Sequence, residues 1–336
     1  MTDNRESIAE HCPRFDLPLV SIVTPAYNRA ALLEETIESV LSQDYPKIEY
    51  IVLDDGSTDD TRKVLEKYDG RIIWESHPNM GETRTVNKGW SMAHGDLVAV
   101  VNSDDPLLPG AVSAAASFMQ SHPEILVGYP DWNMIGPNSE VIRHVQVSEY
   151  DYLYMVRRHG CTVGPGAFIR RKAFDLTGMR DSEFRYVADF EYWLRLGLYG
   201  PFARIPKTLA TFRVHPESAS QSQRGELMAR EHIRLIEKYY LFPNLPSEVL
   251  RVRAEAFSLA HYVAGIACGS AHKEARKYYL RALRYQRPAS LTDDRLKALI
   301  SVSLPKPLFA VMRLSWRMIR PVLARGRRFL KRRFTL

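Results

Sequence analysis

The feature that most constrains this chain is the regular alternation of apolar runs with amphipathic stretches through its first 130 residues. The runs are apolar throughout rather than at every second position, which is typical of strands covered on both faces. Each is followed by a stretch with helical spacing, as in a crossover between parallel strands. We therefore predict an α/β fold with a doubly wound, mostly parallel sheet. The predicted strands span 19–24, 48–55, 71–76, 97–102 and 125–129, and the predicted helices lie near 30–43, 59–69, 82–94 and 109–121.

The pattern changes twice further along the chain. From about 130 to 213 it predicts short strands, turns and one helix near 189–198, in a region that lies over the sheet and shapes a second pocket. Amphipathic spacing then predicts a C-terminal helical appendage. Its predicted helices span 224–240, 247–268 and 272–286.

Ligands of doubly wound sheets bind beyond the carboxyl ends of the strands, so the polar residues there are the candidates for chemistry. The first strand ends in a turn that contains Pro25 and Tyr27, and the Tyr ring could support a base. The second ends in Asp54 and Asp55, whose carboxylates can accept hydrogen bonds from nucleoside hydroxyl or ring N–H groups. Taken alone, this acidic segment is better explained as a turn that precedes a helix cap.

A second acidic pair follows the fourth predicted strand, in the order Asn102, Ser103, Asp104, Asp105. Hard oxygen atoms beside a nucleotide suit Mg²⁺ or Mn²⁺, which bind through one or two carboxylates and the phosphates of the ligand. Two acidic turns at one predicted edge favour a nucleotide-diphosphate and metal site. Neither GxGxxG after the first strand nor GxxxxGK[ST] occurs, which argues against a dinucleotide fold and a P-loop.

Charge is unevenly distributed over the 336 residues. The chain carries a net charge of +7, but the segment 306–336 contains ten Lys or Arg and no Asp or Glu, which leaves −3 for the remainder. We therefore expect no nucleic-acid partner. The segment is amphipathic and cationic, which fits peripheral contact with an anionic membrane, and equally fits a solvated helix packed on its neighbour.

Three cysteines, Cys12, Cys161 and Cys268, are too few and too scattered for a disulfide framework or a zinc cluster. We expect reduced thiols and a cytoplasmic location, peripheral on the inner face of the plasma membrane if the basic segment binds lipid. The N-terminus has no apolar signal region, and no apolar run approaches the roughly 18 residues of a membrane span.

Four segments together resemble a known family. They are SIVTPAYNRAALLEETIESVLSQDYPKIEYIVLDDGSTDDT, NMGETRTVNKGWSMAHGDLVAVVNSDDPLLPGAV, VADFEYWLRLGLYG and RVHPESAS. In this order they are similar to the opening, the stretch into the DXD motif, the acceptor-side acidic motif and the closing His segment of glycosyltransferase family 2. Members of that family are inverting enzymes with a GT-A fold, and the resemblance covers about residues 18–220.

The resemblance implies a nucleotide-sugar donor, with a UDP-sugar favoured. The residues that would cradle its nucleoside are Pro25, Tyr27, Asp54 and Asp55, with Arg84 as a further contributor.

The resemblance also implies a divalent metal, Mg²⁺ or Mn²⁺. Asn102 stands where the DXD motif usually has its first Asp, so ligation would fall on Asp104 or Asp105, with the other contacting ribose or sugar. His215 would approach the metal or the diphosphate from the opposite side.

The same resemblance implies that Asp189 is the general base, with Ala188 in place of the first acid of the usual pair. Glu191 is a rival base, and a helix N-cap is the structural alternative for Asp189. In the segment 160–171, Gly164 and Gly166 allow close backbone approach. Arg170 or Arg171 could reach a phosphate there, or the segment could be only a turn that enters a strand.

These observations predict an N-terminal extension (1–16), a GT-A catalytic domain (17–220), the helical appendage (221–300) and the basic tail (301–336). The predicted function is transfer of a sugar to a hydroxyl of a carbohydrate or lipid-linked acceptor, in surface polysaccharide or glycolipid synthesis. A nucleotidyltransferase is one alternative, although TPAYNRA is not the basic, Gly-rich loop that such enzymes usually carry. A non-catalytic nucleotide-sugar-binding module is the other, which Asn102 and Ala188 would fit.

Overall fold

The computed structural model describes residues 17–215, 225–269, 271–288 and 293–303. The predicted N-terminal extension, Cys12 and the basic segment 306–336 lie outside the described residues, as does the end of the closing His segment. The predictions about them stay predictions.

The first part of the chain forms the predicted parallel sheet. Strands β1 to β4 are parallel and lie in the order β3-β2-β1-β4, with helices in the crossovers. Every residue of β1 is buried, as expected for a strand covered on both faces. The elements are β1 (Val20–Ala26), α1 (Ala30–Leu41), β2 (Ile48–Asp54), α2 (Thr61–Glu66), β3 (Ile73–Ser76), α3 (Glu82–Met92), β4 (Leu97–Val100) and α4 (Ala111–Ser121).

The region after α4 is more regular than the sequence indicated. It completes an eight-stranded, mostly parallel sheet, in which β6 and β7 run antiparallel to their neighbours and β8 pairs with β5 in parallel. Its elements are β5 (Val127–Ile135), β6 (Val141–Val145), α5 (Tyr152–Arg158), β7 (Phe168–Arg170), α6 (Lys172–Thr177), α7 (Ala188–Leu196) and β8 (Phe202–Arg213).

The prediction of one helix in this region was wrong, since α5 and α6 precede α7. The length of β8 was also missed, because an exposed stretch around Pro206 and a shift of register against β5 interrupt its apolar pattern.

Helices follow in the C-terminal part, as predicted. The helix expected over 247–268 is divided at Val252, and the last helix described was not predicted. They are α8 (Glu226–Tyr239), α9 (Ser247–Arg251), α10 (Arg253–Ala267), α11 (His272–Tyr285) and α12 (Asp294–Ser303).

The helical appendage packs directly against the α/β part. One apolar cluster contains Val23 of β1, Trp90 of α3 and Trp193 of α7 together with Leu235 of α8 and Phe257 of α10. Burial of continuous apolar surface stabilises both parts jointly, so α8 is fixed against the sheet region. Among the described residues, no helix combines the length and apolarity that a bilayer crossing requires.

Candidate active site

The carboxyl ends of β1, β2 and β4 lie side by side, because β1 is hydrogen-bonded to both other strands in parallel. Pro25 is the partner of Leu53 near the end of β1, and the exposed Tyr27 follows in the next turn. The two predicted acidic pairs follow β2 and β4, on either side of this turn. We call Tyr27, Asp54, Asp55 and Asp104 the strand-end cluster.

Side-chain hydrogen bonds join the turn after β1 to the turn after β2. Asn28 has a positive φ of 51°, and its Oδ1 accepts from the backbone N–H of Thr58 at 2.8 Å. The Asn28 N–H donates to Ser57 Oγ at 2.9 Å. The position of Tyr27 is therefore fixed relative to the first acidic pair.

Asp54 and Asp55 are buried, and the protein itself supplies donors to their carboxylates. Asp54 accepts from the Ser57 N–H at 3.0 Å and from Ser76 Oγ at 2.6 Å. Asp55 accepts from the N–H groups of Met80 and Gly81 at 2.7 and 3.0 Å. These bonds fix the loop that leads into α3, where the exposed Arg84 lies in the first turn.

Asp105 is turned inward. It is 4% exposed, and its two oxygens accept from Asn102 Nδ2 at 2.9 Å and from the Arg213 N–H at 2.7 Å. Burial, together with the neighbouring charge of Asp104, raises the pKa of Asp105 to about 7. Asn102 supplies a donor where an ionised Asp would repel Asp105, which explains the departure from the usual DXD pattern.

Asp104 lies beside Arg29 and His215. Its Oδ2 lies 3.4 Å from Arg29 Nε and 3.0 Å from His215 Nε2. The fully buried Arg213 supports this arrangement through a bond from its Nε to the Asp104 carbonyl at 2.8 Å. Of the three predicted metal ligands, the structure thus brings together Asp104 and His215, with Asp105 behind them.

Asp189 lies in the first turn of α7 with an exposed side chain. It is not the N-cap residue, which is Val187, and its carboxylate accepts from the adjacent Phe190 N–H at 2.7 Å. The N-cap alternative is therefore wrong.

Glu82 begins α3, directly after Gly81, whose N–H binds Asp55, and its Oε1 lies 3.9 Å from Arg180 Nη1. Desolvation, and then the charges of Asp189 and Asp104, raise the pKa of Glu82, which Arg180 and Arg29 oppose. The Glu82 side chain is 52% exposed, so it lies at the surface rather than in the interior. We call Glu82, Arg180 and Asp189 the α7 cluster. Sequence reasoning missed Glu82, because an acid in the first turn of a helix is ordinarily explained by the helix dipole.

The rival base Glu191 has a structural role. It is buried and forms a bidentate ion pair with Arg195, with Nε–Oε1 and Nη2–Oε2 distances of 2.7 and 2.9 Å. Both oxygens are engaged, which leaves Glu191 poorly placed to accept a proton from a substrate.

Arg170 and Arg171 do not reach the cleft as the phosphate hypothesis required. Arg170 donates to the carbonyls of Ile125, Met119 and His122, and Arg171 donates to the Ala93 carbonyl. Arg170 pairs with the first residue of β4, so it lies at the amino end of that strand, opposite the strand-end cluster.

The glycines of the segment 160–171 do permit close packing. A Cβ at Gly164 would lie 2.7 Å from Trp132 Nε1, and Gly166 has a φ of +73°. In the same segment, desolvation and then the charge of Asp189 hold the pKa of the Cys161 thiol well above its ordinary value. Cys161 therefore stays protonated and is not a candidate nucleophile.

Within the part of the chain that the structure describes, no group of three or more His, Cys, Asp or Glu side chains is arranged to hold a metal ion. Asp104 and His215 remain as one carboxylate and one imidazole, a donor set that leaves further ligand positions to phosphate and water.

The family model for glycosyl transferase family 2 matches residues 21–177. An Escherichia coli relative, UDP-Glc:alpha-D-GlcNAc-diphosphoundecaprenol beta-1,3-glucosyltransferase WfaP, is 30% identical over 222 residues, which are 65% of this chain and 86% of the relative. The GalNAc(5)-diNAcBac-PP-undecaprenol beta-1,3-glucosyltransferase of Campylobacter jejuni is 40% identical over 102 residues, 29% of this chain and 33% of that protein.

Solved structures show the same fold. Staphylococcus aureus TarS 1–349 in complex with UDP-GlcNAc has a TM-score of 0.62 and 18% identity, over 84% of this chain and 83% of TarS. The mannosyltransferase PcManGT from Pyrobaculum calidifontis, in complex with GDP-Man and Mn²⁺, has a TM-score of 0.56 and 18% identity, over 86% and 81%. The GT-A fold is thus confirmed, and the family model and the E. coli relative establish that this chain belongs to glycosyltransferase family 2.

Proposed function

We propose that this glycosyltransferase moves a sugar, with inversion, from a nucleotide-diphosphate sugar to a hydroxyl of a lipid-linked or other carbohydrate acceptor, in surface polysaccharide or glycolipid synthesis. One observation carries the proposal: Glu82 directly follows Gly81, whose N–H binds Asp55, and its Oε1 lies 3.9 Å from Arg180 Nη1, in the segment that leads to Asp189. The names of the E. coli and C. jejuni relatives, which specify diphosphoundecaprenol-linked acceptors, support the acceptor class.

The strand-end cluster is the proposed donor site. Tyr27 is exposed in the turn between the acidic pairs, where its ring can stack on a base. Pro25, Asp54, Asp55 and Arg84 are the other residues that we propose as contacts of the nucleoside. A UDP-sugar is the proposed donor, because the WfaP name and the TarS complex both specify UDP-sugars.

Asp104 and His215 are the proposed holders of Mg²⁺ or Mn²⁺. We propose Asp104 rather than Asp105 as the carboxylate ligand, because both oxygens of Asp105 are engaged by protein donors. When bound, the ion would offset the charge that develops on the leaving diphosphate. The complex of PcManGT with Mn²⁺ supports a divalent metal in this fold.

Asp189 is the proposed general base. The acceptor oxygen attacks the anomeric carbon from the face opposite the diphosphate, and the new C–O bond forms as the bond to the diphosphate breaks. The hydroxyl proton passes to the Asp189 carboxylate. Its exposed side chain supports this role, and so does the engagement of the rival Glu191 by Arg195.

A thermal-shift panel tests the proposal. UDP-, GDP-, TDP- and CMP-sugars are each measured with Mn²⁺, Mg²⁺ or EDTA, on the wild type and on Asp104→Ala. A ligand that binds only the folded state at a hundredfold excess over Kd stabilises it by about 2.7 kcal/mol. We expect a metal-dependent shift with one nucleotide class that Asp104→Ala abolishes. A panel without any shift would reject the donor site, and binding without sugar hydrolysis or transfer would favour a non-catalytic module.

Membrane contact through 306–336 is also a proposal, together with a location on the cytoplasmic face of the membrane. It rests on the sequence of that segment, whose basic residues are each worth roughly 1 kcal/mol near an anionic surface. Liposome sedimentation of the full chain and of a deletion of 306–336 tests it. Binding that survives the deletion would refute the tail as the anchor.

A further inference from the structure

Arg180 is a buried guanidinium group that lacks a hydrogen-bond partner among the described residues. Its side chain is 9% exposed, and its Nε is buried without a partner. The Glu82 carboxylate is 3.9 Å from its Nη1, too far for a hydrogen bond, and the guanidinium lies over the Trp90 ring at 5.3 Å. An unpaired buried charge is costly unless a ligand completes its bonding.

Other arginines of similar burial are fully engaged. Arg195 donates to Glu191 and to two backbone carbonyls. Arg204 makes a bidentate pair with Asp131, and Arg213 donates to Glu35, to Ser139 and to three carbonyls. The contrast indicates that the Arg180 guanidinium binds a ligand rather than stabilising the fold through hydrogen bonds.

The backbone of Arg180 is held firmly against α3. Its N–H donates to Asn87 Oδ1 at 3.1 Å, and Asn87 Nδ2 donates to its carbonyl at 2.8 Å. Thr83 Oγ1 donates to the Phe184 carbonyl at 2.8 Å further along the same segment. The bonds from Met80 and Gly81 to Asp55 fix α3 in turn, so Arg180 has a set position relative to the donor site.

Arg180 lies on the Asp189 side of the cleft. Its guanidinium lies over the Trp90 ring, and that ring lies 5.1 Å from the ring of Tyr192, which stands three positions after Asp189 on α7. The donor diphosphate belongs beside Asp104 and His215 in our proposal. An anion at Arg180 would therefore belong to the acceptor.

We propose that Arg180 binds a phosphate group attached to the accepting sugar. The inference rests on the proposed function and specifies its acceptor as a phosphorylated sugar, such as a lipid-diphosphate-linked one. The Nε and Nη groups of an arginine form a fork that matches two phosphate oxygens. A phosphate there would leave the hydroxyl at the other end of the sugar ring near Asp189. Glu82 would add repulsion if ionised, or a hydrogen bond to the phosphate if protonated.

The test is calorimetric titration of the full-length protein, with saturating UDP and Mn²⁺ to fill the donor site. The probes share one tail: decyl diphosphate, decanoate and decyl glucoside, each below its micelle concentration. We expect decyl diphosphate to bind the wild type more tightly than the other two. Arg180→Gln should weaken that binding by roughly 10- to 100-fold, the range for hydrogen bonds to a charged group. Arg180→Lys should fall between them, because it keeps the charge and loses the fork.

Arg185→Gln is the matched control. Arg185 lies five positions further along, has an exposed side chain over the Tyr186 ring and should not affect binding. Arg180→Gln should also melt close to the wild type, because the native arginine makes no hydrogen bond that the variant loses. A large fall in melting temperature would show instead that Arg180 is structural, and would overturn the proposal.

Equal binding of decyl diphosphate by the wild type and Arg180→Gln would also overturn it, as would equal binding of all three probes by the wild type. The UDP-induced thermal shift of each variant separates this inference from the proposed function. A wild type that binds UDP but not decyl diphosphate would reject the subsite alone. One that binds decyl diphosphate through Arg180 but no nucleotide would reject the proposed function alone.

Discussion

The strand-end cluster and the α7 cluster differ in how their charges are satisfied. In the strand-end cluster, Asp54 and Asp55 each accept two hydrogen bonds from nearby protein donors. In the α7 cluster, the Arg180 side chain makes no hydrogen bond to the described residues, and the Asp189 carboxylate accepts one from its neighbour in sequence. The first set is held in place before any ligand binds, whereas the second keeps its polar capacity for a ligand.

A second difference is the origin of the support. Asp55 is held by the residues just before α3, within the α/β part. The segment before Asp189 is held by the helical appendage, where Glu231 of α8 accepts from the backbone N–H groups of Arg185, Tyr186 and Val187 at 2.7 to 3.3 Å. The appendage therefore positions the segment that leads to Asp189, and variants can test the two clusters separately.

The largest effect should come from Asp189→Asn. The amide keeps the shape of the carboxylate but cannot take the hydroxyl proton, so kcat should fall by about 10²- to 10⁴-fold. Donor affinity should be nearly unchanged, because the strand-end cluster is intact. Transfer assays and nucleotide titration measure the two quantities. Asp175→Asn, at an exposed acid on α6, is the control, and an Asp189→Asn enzyme with normal kcat would exclude Asp189 as the base.

Glu191→Gln should damage stability rather than chemistry. The variant leaves the buried Arg195 without its counter-ion, and breaking a buried pair costs about 3 kcal/mol or more. We expect the free energy of unfolding in urea to fall by about that amount, with kcat within a few-fold of the wild type where the protein is folded. Glu66→Gln breaks an exposed i,i+4 pair with Arg62 and should change stability by less than about 0.5 kcal/mol. A loss of kcat of the size expected for Asp189→Asn would instead restore Glu191 as the base.

Asp55→Asn and Glu231→Gln form a matched pair, since each replaces one carboxylate oxygen that accepts from backbone N–H groups with an NH2 donor. Each lost bond should cost about 1–2 kcal/mol. Asp55→Asn should weaken nucleotide binding and leave the acceptor KM unchanged. Glu231→Gln should raise the acceptor KM several-fold and leave nucleotide affinity unchanged. If both variants changed both constants alike, the two halves would not be independently supported.

The strand-end cluster could be predicted because it depends on local order. Consecutive parallel strands bring their carboxyl ends to one edge, so Asp54, Asp55 and Asp104 had to lie near one another once the sheet was inferred. The direction of β7 was not predicted, and it determines at which edge of the sheet Arg170 lies. A strand antiparallel to β4 carries the residues at its end away from this edge.

The α7 cluster depends on contacts between distant segments. Asn87 and Arg180 are 93 positions apart and meet only because α3 and the segment before α7 pack together. The order of residues within either segment does not predict that contact. Asp189 was found through family resemblance. The lack of a hydrogen-bond partner for the Arg180 guanidinium could not be predicted, because it depends on which side chains the fold places around that group.

Acid should weaken the support of the α7 cluster through a pair of buried histidines. His159, which follows α5, and His232 of α8 lie 3.1 Å apart between Nε2 and Nδ1. Burial lowers the pKa of His232 to about 4, and burial with the neighbouring His232 and His261 lowers that of His159 well below its ordinary value. The unfolded chain binds protons near pH 6.5 and the folded chain does not, so stability is present above that pH and is lost as the pH falls toward 4.

Each histidine should remove about 1 kcal/mol of unfolding free energy between pH 7 and 5.5. Denaturant titrations at both pH values measure the loss, and His232→Gln should reduce it by that amount. His94→Gln is the control, because the His94 side chain is exposed and pairs with Glu49 rather than with a residue of α8. An identical pH dependence in His232→Gln would mean that the acid sensitivity arises elsewhere. We also expect the acceptor KM of the wild type to rise between pH 7 and 5.5. If His232→Gln reduces both the loss of stability and this rise in KM, α8 transmits the effect of acid to the α7 cluster and not to the strand-end cluster.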